Sequence, residues 1–558
     1  MARDSGSSGA SSWLLQPLAL ALASAALLVL AFPNFNLPWA AWIALVPWLL
    51  LLRRVSGRAA FGWSYYIGLL FFLGSIHWLV RVTLVGWLVL SGFLALYFGL
   101  FGWLVTTGWR VQAGATGREK RRLGTERRWG QAYAFIGIPA IWVALEYARS
   151  HALSGFGWNL LAYSQTLQLR FIQFADLTGA WGVSFVLVLA NVALAEMADA
   201  LAWATGSRAE DRLAFQRATR HVTSAILTLV VLMGYGSWRL AAAAPGPPVR
   251  IAVVQGNIPQ EEKWDEALRD SILARYEALT RTAVALDPQL IVWPETAVPG
   301  FLGLDEPLTQ RIAAVAGSSG VPLLAGAPHG RRSGGRWEIT NGAALVDPAG
   351  VRGWYDKLHL VPYGEFIPFE RQLPWLRETL PPIGDFVAGD AFTVFTAPLR
   401  NDAADLDDVR AMLAMSPSVL RFSALICFED LFPSLARRFV REGARVLVVI
   451  TNDAWFGPTA AAYQHAQAST LRAVELRVPV VRAANTGWSG CIDASGRWTG
   501  SVHDDSGEEL FIPGVHACEV SPGPAESLYL HLGDWFALLC VGISAAILWV
   551  RRPWRRAL

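Results

Sequence analysis

Charge is what this sequence has little of. Asp, Glu, Lys and Arg make up 16% of its residues, against roughly 25% in a typical soluble domain, and the deficit excludes an ordinary cytosolic enzyme. Cysteine is scarcer, with 4 residues in 558, too few for a disulfide-dense scaffold. The 50 glycines follow no period and prolines number 30, which excludes collagen-like and disordered chains. A net charge of +3 is too small to argue for a nucleic-acid partner. Chemical signatures are missing too: no Walker A loop, no Gly-x-Gly-x-x-Gly after a strand, no His-Glu-x-x-His, no Cys-x-x-Cys. A Gly-x-Ser-x-Gly elbow is also lacking. Nucleotide, zinc and serine-hydrolase chemistry thus have no support, and neither metal nor cofactor is expected.

What is abundant is apolar surface. Hydrophobic residues make up 53% of the chain, and 26 Trp with 27 Phe suit a protein that meets a membrane interface. Nearly uncharged runs approach the ~20 residues a helix needs to cross the hydrocarbon core. They lie near 13–32, 37–52, 59–80, 83–108, 131–148, 179–200, 222–241 and 533–550, the second being short and holding Pro47. Ala23-Ser24-Ala25 resembles a signal-peptide cleavage site, but the apolar run continues through Leu27, Leu28, Leu30 and Phe32, so an uncleaved anchor is expected. Basic residues gather in 53–58, 109–130, 201–221 and 551–558, while the intervening short loops hold little beyond Arg81, Arg149 and Arg170. The positive-inside rule then places both termini in the cytoplasm and residues 242–530 outside. In the outer loop Ser154–Asn159, Trp158 reads as an aromatic anchor at the interface.

After the linker Ala241–Pro248 the composition becomes that of a soluble domain. About 280 residues are enough for one sizeable core. β-rich runs at 251–254, 290–293, 321–324, 420–426, 446–450 and 478–482 alternate with helix-like stretches at 264–285, 306–317, 432–442 and 461–477. Such alternation predicts an α/β layered domain. An Asp- and Ala-rich stretch, 401–412, reads as a surface excursion, and no solenoid repeat is present.

Three residues of this block stand in or just after β-rich runs: Glu295, Lys357 and Cys427. Reacting groups of α/β sheets sit where strands end. A thiol needs a base to become a thiolate, and a carboxylate can take that proton. A nearby ammonium favours the thiolate and stabilises an oxyanion. Taken singly, each has a plainer reading: a core thiol, a helix cap, a surface lysine. Taken together, five segments in order change the balance. These are Val254-Gln-Gly-Asn-Ile-Pro-Gln260, Trp293-Pro-Glu-Thr296, Lys357-Leu-His-Leu-Val-Pro-Tyr-Gly-Glu365, Ile426-Cys-Phe-Glu-Asp430 and Thr451-Asn-Asp-Ala-Trp-Phe-Gly457. With them the chain resembles the nitrilase (carbon–nitrogen hydrolase) superfamily and, within it, the apolipoprotein N-acyltransferase family, over nearly its whole length.

The resemblance implies a multi-span α-helical membrane bundle of about eight helices plus an extracytoplasmic α/β nitrilase-like α-β-β-α sandwich. The parts would be residues 1–241, 242–530 and 531–558. It implies Glu295 as general base, Cys427 as nucleophile, Lys357 as oxyanion support and Glu365 as a second, supporting carboxylate. Trp264, Glu429, Phe428, Phe366, Phe369, Trp375, Asn452 and Trp455 become candidates for substrate binding, Phe428 standing where Tyr is common. The implied reaction passes an acyl chain from a phospholipid, phosphatidylethanolamine being the donor suggested, through a Cys427 thioester to the N-terminal amine of a diacylated apolipoprotein. The setting would be the bacterial inner membrane, with the catalytic domain in the periplasm. Moving a long acyl chain into water costs ~0.8 kcal/mol per CH₂, which fits a site open to the bilayer. The apolar, proline-broken segment from Phe366 to Pro382 reads as an arm over that opening. A membrane-anchored amidase acting on a small molecule is the alternative, though one anchor would suffice for it. A transporter finds little support, because the span interiors offer little: His77, and Glu146, Glu196 and Arg239 near ends. Cys491 and Cys518 could pair in an oxidising exterior, which spacing alone does not decide.

Overall fold

The apolar runs become helices. The computed structural model describes residues 8–113, 133–203, 209–242, 246–368, 370, 372, 377, 385–399, 419–523 and 525–550. The chain divides into two units, Met1–Ala241 with Asp534–Leu558, and Ala242–Gly533. In the first unit the helices are Ser8–Leu30, Val46–Leu52, Arg58–Ser75, Leu84–Ala113, Ile138–His151, Ala180–Trp203, Ala209–Ala241 and Trp535–Val550, with shorter turns between them. Leu84–Gly108, Ala180–Ala202 and Arg212–Ala241 are long and apolar enough to cross a membrane, whereas Gln16–Leu30, Pro38–Leu52 and Trp535–Trp549 are apolar but shorter. The run at 37–52 is split into a 3-10 turn, Pro38–Trp42, and a helix opened by Pro47 in its first turn, where the missing N–H costs nothing.

Close packing in this unit depends on small residues. A Cβ at Gly68 would stand 2.6 Å from the Cβ of Phe98 on the neighbouring helix, an approach that larger side chains forbid. Trp48 forms a hub: its Nε1 donates to Ser64 Oγ at 2.8 Å, and its ring lies 5.2 Å from Phe98 and 5.0 Å from Phe101. Val85, Val89 and Val231 point outward instead, each more than 60% exposed, as lipid-facing residues do. The polar groups within the bundle are braces. Glu146 accepts from Leu161 N–H at 2.8 Å, Glu196 pairs with His221, and Arg239 pairs with Asp176 at 2.9 Å. Trp158 is not an interfacial anchor. It is buried against Trp78, ring centroids 4.9 Å apart, and its carbonyl accepts from Arg149 at 2.7 Å. Cys540 is packed in the bundle.

The second unit is a layered sandwich. β1 (Val249–Gln255), β2 (Leu290–Val292), β3 (Leu323–Ser333), β4 (Arg336–Asp347), β5 (Gly350–Asp356) and β12 (Gly514–Val520) form a six-stranded sheet, ordered β12-β1-β2-β3-β4-β5. β6 (Phe395–Pro398), β7 (Val419–Ile426), β8 (Val446–Thr451), β9 (Val480–Ala484), β10 (Gly490–Ile492) and β11 (Trp498–Ser501) form the other, ordered β11-β10-β9-β8-β7-β6. In each sheet three central strands run parallel, β1-β2-β3 and β7-β8-β9, with antiparallel strands outside them. Period-two alternation sends Ile251 and Val253 into a core shared with Phe422 and Val448 of the facing sheet. Ala252 and Val254 face the helices Arg269–Val284 and Glu306–Ser319. The helices Pro433–Arg441 and Ala461–Leu476 add Phe439, Ala466 and Ala473 to the core of the second sheet, completing the α-β-β-α order.

β4 and β5 escaped the sequence reading because Glu338, Thr340, Asn341 and Gly342, and then Arg352 and Gly353, interrupt any apolar run. Cys491 on β10 and Cys518 on β12 are disulfide-bonded, joining the two sheets with Cα atoms 5.5 Å apart. The stretch 401–412 and much of the basic segments 109–130 and 551–558 lie outside the described residues.

Candidate active site

Each of the three candidate reacting residues, Glu295, Lys357 and Cys427, follows the end of a strand. β2 ends at Val292, and Trp293-Pro294 leads into Glu295, whose side chain is buried. β3 passes so close to this turn that a Cβ at Gly326 would stand 2.7 Å from Glu295 Cα and from Thr296 N; only glycine fits there. Lys357 directly follows β5, its N–H donating to Asn341 O at 2.8 Å and its side chain 1% exposed. Cys427 directly follows β7 and holds φ at 54°, a left-handed geometry that non-glycine residues seldom adopt.

The charges converge on Lys357. Its Nζ lies 2.9 Å from the Glu365 carboxylate and 3.7 Å from Glu295 Oε1. Asn341 bridges the two acids, its Nδ2 donating to Glu295 Oε1 at 2.7 Å and to Glu365 Oε1 at 2.8 Å. Glu365 Oε2 also takes the Val361 N–H at 2.8 Å, which closes its own turn. Burial alone would lower the Lys357 pKa, but Glu365 first, then Glu295 and Cys427, hold the ammonium well above its ordinary value. It therefore stays a fixed cation beside Cys427. The thiol behaves oppositely: burial pushes Cys427 up, the Glu295 carboxylate adds to that, and Lys357 pulls it down. A resting thiol beside an acceptor carboxylate and a permanent cation is what base-assisted attack on a carbonyl requires.

Glu429 is fully buried behind Cys427. Its carboxylate accepts from Ile426 N–H, Leu358 N–H and Tyr355 OH, each at 2.8 Å, and from His359 N–H at 3.0 Å. It ties the Cys427 turn to the loop that carries Lys357, while burial pushes its pKa up to about 7 against those donors. Phe428 is buried near His359 and Phe432. Asn452 follows β8 and donates to Gln260 Oε1 at 2.6 Å, linking two loops. Trp264 and Trp455 are exposed, and Phe366 is half-buried in the turn after Glu365. Phe369 and Trp375, with most of the supposed arm, lie outside the described residues.

Sequence reasoning missed two site residues. Asn341 sits in β4 without any motif around it, and only strand pairing carries it to the acids. Lys263, one residue before Trp264, is 2% exposed and donates through Nζ to the Glu295 carbonyl at 2.8 Å. Burial lowers its pKa to about 8, against the pull of Glu295 and Cys427. An inward lysine next to an outward tryptophan was the available signal. Among the described residues no group of His, Cys, Asp and Glu could hold a metal ion.

Comparison with known proteins follows this division of the chain. Residues 24–193 match the apolipoprotein N-acyltransferase N-terminal domain and residues 250–518 the carbon-nitrogen hydrolase family. A curated apolipoprotein N-acyltransferase of Geobacter metallireducens is 37% identical over 95% of this chain and 94% of its own. That of Methylococcus capsulatus is 32% identical over 95% of each. Among solved structures, a mutant of the Nesterenkonia AN1 amidase from the nitrilase superfamily aligns with 54% of this chain and 98% of its own, at 18% identity and a TM-score of 0.36.

Proposed function

Because the chain belongs to the apolipoprotein N-acyltransferase family, we propose that Cys427 carries an acyl group from a phospholipid ester to the N-terminal amine of a diacylglyceryl-cysteine lipoprotein. The enzyme is an acyltransferase that acts on apolipoproteins in a membrane setting. Glu295 takes the Cys427 proton as Sγ attacks the ester carbonyl. The oxyanion forms beside Lys357. Collapse breaks the ester C–O bond, and the proton on Glu295 goes to the departing lysophospholipid oxygen. The lipoprotein amine then attacks the thioester, giving its proton to Glu295. The C–S bond breaks, and the thiolate recovers that proton.

The observation that carries this reading is the buried Lys357 shared by Glu295 and Glu365 beside a nucleophile in a left-handed turn. Glu365 and Asn341 hold the base and the cation at fixed separation, and Glu429 holds the loop that carries Lys357 against the elbow. Phosphatidylethanolamine is the donor we favour. An inner-membrane location, eight spans, cytoplasmic termini and a periplasmic catalytic unit are supported by the arginine distribution and by the Cys491–Cys518 bond, since such bonds persist in oxidising compartments. A reporter active only outside the cytoplasm, inserted at Gly334-Gly335, is expected to be active; silence there overturns the topology.

The deciding experiment is the intact mass of the protein after incubation with phosphatidylethanolamine, beside Cys427→Ala. A fatty-acyl increment, removed by hydroxylamine and missing from the variant, is expected. No adduct on folded protein overturns the proposal.

A further inference from the structure

Beneath Cys427 lies a set of buried charges that acyl transfer leaves without a task. His465, on the helix Ala461–Leu476, is 1% exposed and stands between two carboxylates. Its Nδ1 is 3.3 Å from Asp453 Oδ1 and its Nε2 is 2.8 Å from Asp430 Oδ1. The same Nε2 lies 3.1 Å from the carbonyl oxygen of Cys427. The three oxygens that these nitrogens meet are all acceptors, so both nitrogens carry hydrogen and the ring is an imidazolium. Asp430 also pairs with Arg482 Nη1 at 2.6 Å and accepts from the Ser469 hydroxyl. Asp453 takes the Thr451 hydroxyl at 3.2 Å and is crowded by Gly487, where a Cβ would strike its carboxylate. Arg472 and Glu475, on the same helix as His465, pair with each other at 2.7 Å.

Two demands at the nucleophile meet in this ring. A left-handed turn is unfavourable at a non-glycine residue, so the φ of 54° at Cys427 needs an anchor. Asp453 also opposes ionisation of the Cys427 thiol. We infer that His465 is a positioning residue for the nucleophile: its cationic ring anchors the Cys427 carbonyl and offsets the carboxylates of Asp430 and Asp453, which weakens their opposition to thiolate formation. Burial works against the cation, but Asp430 above all holds the imidazole up to about 9, so the charge persists through neutral pH. The charged groups facing Cys427 are Glu295, Lys357, Asp453 and Lys263, and those facing His465 are Asp430, Asp453 and Arg482.

The inference rests on Cys427 as nucleophile. The test uses the full-length protein in lipid nanodiscs and two readouts: the pH midpoint of Cys427 alkylation by iodoacetamide, followed on its peptide, and the rate of acyl-enzyme formation from phosphatidylethanolamine. His465→Gln is expected to raise the midpoint by about one pH unit, and so to slow acylation about tenfold at pH 7 with KM unchanged. Asp453→Asn alone should lower the midpoint, and His465→Gln/Asp453→Asn should return it toward wild type, which a merely structural histidine would not do. An unmoved midpoint in folded His465→Gln, or no return in the double variant, overturns the inference. Should His465→Gln not fold, Asp453→Asn decides: a lower midpoint supports the inference and an unmoved one overturns it. An acyl adduct that survives Cys427→Ala removes the nucleophile assignment, and it is read independently of the alkylation midpoint.

Discussion

The two sheets of the catalytic unit hold charge in different ways. The sheet from β12 to β5 supplies Glu295, Lys357 and Asn341, with Glu365 and Lys263 on nearby loops, and these groups share partners: Asn341 serves both acids and Lys357 faces both. The sheet from β11 to β6 supplies Cys427, with Glu429, Asp430, Asp453, His465 and Arg482 sealed at or below 1% exposure. On that side carboxylates meet cations or backbone N–H groups at fixed positions. The difference teaches a division of labour. Under the proposed mechanism protons move on the first sheet, where shared hydrogen bonds would let Glu295 change its charge. Cys427 is held on the second, where charges are matched and its backbone is left-handed.

Variants can break or sharpen this contrast. The largest losses belong to the first sheet: Glu295→Gln and Lys357→Met should each cut acyl-enzyme formation by about 10²- to 10³-fold, the range that a general base and an oxyanion donor each contribute. Rapid-quench mass spectrometry reads the rate, and a loss under tenfold would remove that residue from the chemistry. Asn341→Leu keeps the branched shape but takes one donor from each of two carboxylates, so a fall of about 10²-fold is expected, with a stability loss of about 1–3 kcal/mol from unsatisfied acceptors.

Lys263 sharpens the comparison through pH. Its folded pKa of about 8 lies below the ordinary 10.5, so its charge is present below about pH 8 and lost above it. An alkaline fall in acylation centred near pH 8 should result, moved upward in Lys263→Arg; the same fall in both proteins would clear Lys263 of any part. Between pH 8 and 10.5 the unfolded chain holds more protons at this site than the folded one, so this group makes folding stability rise with pH across that window. The smallest effect on activity belongs to the bond between the sheets. Replacing Cys491 and Cys518 by Ala opens a loop of 27 residues and should cost about 3–4 kcal/mol of stability. Activity at low temperature should be nearly unchanged, as β10 and β12, which carry the bond, are not the strands that lead to Glu295, Lys357 and Cys427; denaturant titration of the protein checks this.

The local chemistry of the sequence determined a good deal. Long apolar runs dictate helices, because unsatisfied backbone groups cannot stay in hydrocarbon; the described helices start within a residue of the runs at 83–108 and 179–200, while the one over 222–241 begins earlier, at Ala209. Alternating β and helix patterns gave the layered domain, Glu295, Lys357 and Cys427 stood out in or just after β-rich runs, and Glu365 came in through the family resemblance. Only the tertiary structure decided the rest. Asn341 became a bridge because β4 pairs with β3 in one register, and His465 became an anchor because its helix lies under the β7 elbow. Lys263 turned inward while Trp264 stayed exposed. Cys491 found Cys518 because β10 and β12 meet from opposite sheets. In each case the partners come from different elements of the chain. Sequence records propensity and periodicity, which are local, whereas a hydrogen bond or disulfide across the fold exists only once packing has set the distance.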